Sequence, residues 1–299
     1  MGSESRSEQY IHGHDDATIQ GLSLRSASHD GAFFLPYLRP GMSLLDCGCG
    51  PGSITFGLAG AVAPGQVIGI DRADTVIEHA TAVAQERGVT NVRFLVGNVY
   101  QLEFPDNAFD AVFAHALIQH LAAPEQAMQE MWRVLKPGGL VGIRAVDHRA
   151  VIVAPANPLL DQYLDLWERF WQHNGGNPRV GGELKQLLRQ SGFVRCEATA
   201  SFDYAGTPEA VRKRAEIEMG RIKNPRFLQH MGELGWVNDT ALGQMSTAWE
   251  DFSHNPDAFY PYSDTSRTCA PSTRIYGCIK GRFPSSLATA KPRFYRGKF

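Results

Sequence analysis

Long apolar runs are missing from this sequence. No stretch approaches the ~20 consecutive apolar residues that a helix needs to cross a bilayer. The opening MGSESRSEQYIHGHDD is polar and has no apolar core of a secretory signal. An excess of one charge is missing too: 29 Lys and Arg stand against 31 Asp and Glu, a net charge of −2. That excludes a strong basic field for nucleic acid or an anionic membrane. Cysteine is sparse, with five residues (Cys47, Cys49, Cys196, Cys269 and Cys278) whose spacing follows no disulfide framework. The expectation is a reducing compartment, hence a cytoplasmic protein without membrane insertion or a nucleic-acid partner. Cys47 and Cys49 form C-x-C, yet no second Cys or His pair completes a zinc site, so both read as packing residues and no metal is expected.

What is present is an alternation. "SLLDCG" (Ser43 to Gly48) reads as a strand, Ser53 to Val62 as a helix, and "QVIGID" (Gln66 to Asp71) as a second strand. A helix follows from Asp74 to Gly88, with Val76, Ile77, Ala80, Val83 and Ala84 on one face. "VRFLVGN" and "AVFAHA" are strands three and four, Pro124 to Leu135 is a helix, "KPGG" a turn and "LVGIRAV" strand five. Strands alternating with helices predict an α/β fold, a doubly wound and mostly parallel sheet covered on both faces.

Beyond Asp147 the rhythm changes. The stretch 150–180 reads as aromatic and loop-rich, 182–191 as a helix and 194–204 as a strand. The expected organisation is an N-terminal arm or cap (1–40), a core (41–206), a helical lid insertion (207–271), a last core strand (272–283) and a disordered tail (284–299).

"LLDCGCGPGS" (Leu44 to Ser53) carries Gly48, Gly50 and Gly52 immediately after a strand. Such a loop lets a ligand lie against backbone, and the helix that follows offers free N–H groups to an anion. The spacing is G-x-G-x-G; the dinucleotide G-x-G-x-x-G and the phosphate loop are both absent. Asp71 ends strand two, 19 residues after Gly52, where a carboxylate can accept both hydroxyls of a ribose. Asn98 ends strand three, where an amide can pair with an adenine edge.

With "VIGIDRA", "VGNVYQLEFPDNAFDAVFAHALIQHL" and "MWRVLKPGGL", the glycine loop resembles the class I S-adenosylmethionine-dependent methyltransferases, the small-molecule branch that includes the ubiquinone and menaquinone methylases. The resemblance covers about 42–148 well. It implies a seven-stranded Rossmann-like sheet and S-adenosylmethionine as cofactor, with S-adenosylhomocysteine as product. Asp46, Gly48, Cys49 and Gly50 would line the methionine end, with Tyr10 touching it and His115 beside the methyl as a further cofactor contact; Asp71 and Arg72 would flank the ribose, Asn98 and Val99 the adenine. The family commonly has aspartate where Asn98 stands. Tyr10, His12 and His14 fall in a segment resembling an arm that folds over the cofactor.

The implied reaction moves a methyl group to O, N or C of a hydrophobic or aromatic small molecule. A hydroxyl or ammonium acceptor wants a base, for which His115 and His14 are the candidates, with His120 behind them. Aromatic residues from Trp167 to Phe252 suggest a lid closing on an apolar substrate, and Glu216 and Glu218 read as a solvated helix face or an amine contact. Two other readings use the same loop: a cofactor-binding lyase, cyclase or non-catalytic protein on this fold, and an NAD-dependent oxidoreductase, disfavoured by the missing third glycine. A homodimer is compatible with all of them.

Overall fold

The computed structural model describes residues 16–201, 203–262 and 272–279. Two short helices, α1 (Asp16–Ser23) and α2 (Ala27–Asp30), precede the alternation β1 (Leu44–Cys47), α3 (Ser53–Val62), β2 (Val67–Asp71), α4 (Asp74–Glu86), β3 (Val92–Val96), β4 (Phe109–His115), α5 (Pro124–Val134) and β5 (Leu135–Val146). There follow α6 (Pro158–His173), α7 (Leu184–Gln190), β6 (Glu197–Ser201), β7 (Asp203–Ala205), α8 (Pro208–Ile222), α9 (Pro225–Leu234), α10 (Asp239–His254), β8 (Tyr260–Tyr262) and β9 (Ser272–Ile279).

The sheet has seven strands in the order β3-β2-β1-β4-β5-β9-β6. β1 to β5 pair in parallel, and β9 runs antiparallel to β5 and β6. Side chains alternate across it: Leu44, Ala111 and Phe113 enter one buried cluster, Leu45, Val112 and Ala114 the other. Both faces are therefore buried, as the near-continuous apolar strands require. α3 and α4 cover the first face, α5 and α7 the second. The segment after α2 shares the first face, where Phe34 packs on Phe113 at 5.6 Å between ring centres. It lies so close to β5 that a Cβ on Gly142 would come within 2.4 Å of the Phe34 ring.

Several details depart from the sequence reading. The "KPGG" turn survives as an irregularity inside β5: the register passes from Leu135 opposite Phe109 directly to Leu140 opposite Ala111. The stretch read as loop-rich holds α6. Asn157 caps it, its side chain accepting the Leu159 and Leu160 N–H groups at 3.0 and 3.4 Å, and Pro158 occupies the first turn. The strand expected over 194–204 divides into β6 and β7, and β7 pairs with β8 in a separate two-stranded sheet. Cys196 is disulfide-bonded, although the cysteine spacing follows no disulfide framework; Cys47 and Cys49 are free and buried.

A third buried cluster belongs to α6, α8, α9 and α10, with Trp167, Phe170, Phe227, Trp249 and Phe252 inside it. Among the described residues, no helix is long and apolar enough to cross a membrane and no group of His, Cys, Asp or Glu could hold a metal ion.

Candidate active site

The strand order reverses at β1, whose neighbours are β2 and β4. In such sheets the crevice at the carboxyl ends of the strands is the place for a ligand. A cavity of about 690 Å³ lies there, lined by the loop after β1, the ends of β2 and β4, the loop after β3 and the segment after α1.

The glycine loop has the backbone that its composition requires. Gly48, Gly50 and Gly52 all lie at positive φ, 71°, 52° and 79°. At Gly52 a side chain is excluded twice, because a Cβ would also sit 2.6 Å from the Phe94 ring. At Gly50 the space beyond the backbone is open, with only a Leu22 methyl 4.0 Å away. Backbone N–H groups of Gly48 and Cys49 donate to the Ile70 carbonyl at 2.8 and 2.9 Å, tying the loop to β2. Gly52 caps α3 without a side-chain bond, so no cap side chain satisfies the first N–H groups of that helix, which lack intrahelical partners; Ser53 and Ile54 of this first turn line the cavity.

Asp71 works for the loop as well as for the cavity. One carboxylate oxygen accepts the Gly50 N–H at 3.0 Å and the other the Ala73 N–H at 3.1 Å. Each oxygen keeps a further lone pair. Arg72 and Val76 lie beside it on the cavity wall. Asn98 turns its side-chain oxygen to the Tyr100 N–H at 3.0 Å, which leaves its NH₂ as the group for a base edge. Val99 and Val96 line the wall next to it.

Beneath the loop, Asp46 is 2% exposed and accepts a hydrogen bond from Thr55 at 2.6 Å. Burial pushes its carboxyl up to about 7; the Thr55 bond opposes the rise and the Asp71 charge adds to it. Burial likewise raises the Cys49 thiol, with the charges of Asp46 and Asp71 adding to the effect, so Cys49 is a neutral wall residue.

His115 closes the cavity from the end of β4, and its Nε2 lies 3.6 Å from Asp30 Oδ1. That carboxylate also accepts the Ser26 N–H at 2.9 Å and pairs with Arg144 at 2.9 Å. Burial works to raise the Asp30 pKa, but His115, the Ser26 N–H, Arg144 and Arg25 together hold it below the usual carboxylate value. His120 also lines the cavity, stacked on Trp171 at 4.9 Å. Burial, with the charges of Arg25 and His148 adding, drops its pKa to about 3, so the ring is neutral.

All the core residues singled out from the sequence (Asp46, Gly48, Cys49, Gly50, Asp71, Arg72, Asn98, Val99 and His115) thus line one cavity. Tyr10, His12 and His14 lie outside the described residues, as does the tail. Two readings change. Of the aromatic residues expected in a lid, Trp167, Phe170, Phe227, Trp249 and Phe252 are packed interior of the helical layer, as many of them were expected to be, Tyr204 is exposed, and none of these lines the cavity. Glu218 is neither solvated nor at the cavity: it is buried against Tyr163, Arg214 and Arg221, while Glu216 is exposed. Sequence reasoning missed Leu22, Arg25 and Asp30, whose roles depend on how the N-terminal segment docks on the sheet.

Comparison with known proteins agrees with this geometry. Residues 38–192, just over half of the chain, match the family model described as a methyltransferase domain. An uncharacterised methyltransferase of Schizosaccharomyces pombe is 33% identical over 62% of this chain and 68% of its own length. A demethylmenaquinone methyltransferase of Lactococcus lactis is 34% identical over 58% of this chain and 65% of its own length. The chain therefore spans about two thirds of these relatives. Among solved structures, the YcgJ protein of Bacillus subtilis shares the fold, with a TM-score of 0.54 at 19% identity over 88% of this chain and 99% of its own. A parallel sheet of this order with a glycine loop after β1 defines a Rossmann-like, class I transferase core. The chain belongs to the methyltransferase family.

Proposed function

We propose that the protein transfers a methyl group from S-adenosylmethionine to an oxygen, nitrogen or carbon of a hydrophobic or aromatic small molecule. The observation that carries this reading is the convergence of a side-chain-free loop, a diol acceptor and a base-edge donor on one cavity. These residues fit the cofactor: Gly50 offers open backbone, the start of α3 offers N–H groups to a carboxylate, and Asp71 keeps lone pairs for a ribose. When bound, S-adenosylmethionine would supply an electrophilic methyl group on a sulfonium, with S-adenosylhomocysteine as the neutral leaving group.

Everything else falls to the protein. Leu22, Ile54, Leu117 and Leu121 supply apolar wall that excludes water, which supports an apolar acceptor body. His115 is the group placed to take an acceptor proton, with Asp30 behind it. His14 and Tyr10 remain candidates for the arm over the site. The near-neutral charge supports a small-molecule rather than a nucleic-acid substrate, and we keep the expectation of a cytoplasmic enzyme that can act as a homodimer.

Calorimetric titration with S-adenosylmethionine and separately with NADH tests the reading. Micromolar S-adenosylmethionine binding, weakened at least tenfold in Asp71→Ala, is the expected result. NADH binding in its place would remove the cofactor assignment.

A further inference from the structure

A base in a buried wall has to lose its proton again after every turnover. His115 lines the cavity and is 6% exposed, so a proton it takes has no direct way to bulk water once the cavity is filled. Behind it, 3.6 Å from its Nε2, stands Oδ1 of Asp30, a residue 1% exposed. The neighbouring residue reaches the surface. His29 Nδ1 lies 3.4 Å from that same oxygen, and 46% of the His29 side chain is open to solvent. Two imidazoles therefore address one carboxylate oxygen, one from the cavity wall and one from outside.

The cluster around them is held in place by Arg144. It donates to Asp30 Oδ1 at 2.9 Å and to Asp203 Oδ2 at 3.2 Å, tying α2 and β7 to the end of β5. The other oxygen of Asp203 lies 3.4 Å from His29 Nε2, so the exposed ring has a carboxylate at each nitrogen. Asp30 is ionised at rest, because its pKa is held below the ordinary carboxylate value, so a proton crosses it without settling there. Arg25 also acts on Asp30, and on His120. Neither Arg25 nor His120 is a carrier: a guanidinium keeps its proton, and His120 stays neutral. An imidazole near its ordinary range both takes and releases a proton around neutral pH.

We propose that His29 is the proton outlet of the site: the proton that His115 takes from the acceptor passes over Asp30 to His29 and from there to water. This rests on the methyltransferase reading, with His115 as its base. The electron pair of the broken X–H bond stays on the acceptor atom, and once the proton reaches water His115, Asp30 and His29 have regained their starting charges. An acceptor that needs such an outlet carries a proton on its attacking atom, as a hydroxyl, an ammonium or an acidic C–H does and a thioether or tertiary amine does not. His29 does not line the cavity, and it acts through Asp30.

The test is the exchange of the His115 imidazole N–H with water, followed by nitrogen-15 NMR on the full chain saturated with S-adenosylhomocysteine. His29→Gln keeps polar contacts to Asp30 and Asp203 but cannot take up a proton; His29→Leu removes both. Each should slow the exchange at least tenfold, and free imidazole in the buffer should restore it, while S-adenosylhomocysteine affinity stays within twofold of the wild type. Exchange as fast in His29→Gln as in the wild type overturns the proposal. So does slowing in His29→Leu alone, or slowing that imidazole does not relieve, since His29 would then only pack. Failure of the wild type to bind S-adenosylhomocysteine would instead remove the methyltransferase reading, and the outlet with it.

Discussion

Asp46 is a carboxyl whose ionisation the fold opposes. Its ordinary value of 3.8 rises to about 7 under burial, so the folded protein holds a proton that the unfolded chain has released. The sign follows from this: between 3.8 and about 7 the unfolded state binds fewer protons, and stability falls as pH rises through that window. Asp46→Asn removes the ionisation and keeps an acceptor for Thr55. In the ligand-free protein it should add about 2 kcal/mol at pH 8 and almost nothing at pH 4, a discounted fraction of what a three-unit rise would give at ~1.4 kcal/mol per unit. Urea unfolding across that range measures it. Identical slopes for the variant and the wild type would mean that Asp46 ionises freely in the fold.

At the next scale up, α2 is held to the sheet by a buried ion pair. Asp30 and Arg144 are each 1% exposed, 2.9 Å apart and 114 residues distant in the chain. Breaking a buried pair typically costs about 3–5 kcal/mol, and because Arg144 keeps a second carboxylate, Asp203, at 3.2 Å, the low end applies here. Asp30→Ala should therefore destabilise the protein by about 3 kcal/mol. The double variant with Arg144→Met should lose less than the two single losses combined by at least ~1 kcal/mol. Denaturant titrations of the four proteins decide it, and a loss below about 1 kcal/mol in Asp30→Ala would show that the pair does not anchor α2. Because the Asp30 carboxyl sits below its ordinary value, its contribution is present above that value and fades as pH falls through the folded one.

This pair also marks where the sequence stops being legible. β1 to β5 and the helices between them could be read because each announces itself locally, by an apolar run, a glycine stop at Gly88 or turn residues such as Asn107. Asp71, Asn98 and His115 were legible for the same reason: each stands at or just beyond a strand end, where a parallel sheet puts its ligand. Arg25 and Asp30 carry no local signal. Their neighbours arrive by docking of a segment that shows only two short helices, and no periodicity predicts that contact. α6 is a different case: Asn157-Pro158 and the spacing of Leu160, Tyr163, Leu166, Trp167, Phe170 and Trp171 do announce a helix, which the crowding of aromatic residues concealed.

At the scale of the whole molecule, the described residues form two apolar interiors, one on either face of the sheet counted together and one inside α6, α8, α9 and α10. The second is organised around a charge. Glu218, 1% exposed, accepts the Tyr163 hydroxyl at 2.6 Å and an Arg221 N–H at 2.9 Å, and pairs also with buried Arg214. The cavity is lined by none of these side chains. Separate interiors open with separate free energies, so the helical layer can loosen while the cofactor residues stay in place. Glu218→Ala leaves two cations and a hydroxyl without their acceptor and should cost about 3 kcal/mol, concentrated in that layer. Hydrogen exchange should then quicken together in α6, α8 and α10, while β1, β2 and β4 keep their protection and S-adenosylmethionine affinity at 25 °C changes less than threefold. A loss of cofactor affinity in step with helical protection would show that the two interiors unfold as one, and that the helical layer holds the cavity's shape from behind its wall, where Trp171 of α6 stacks on His120.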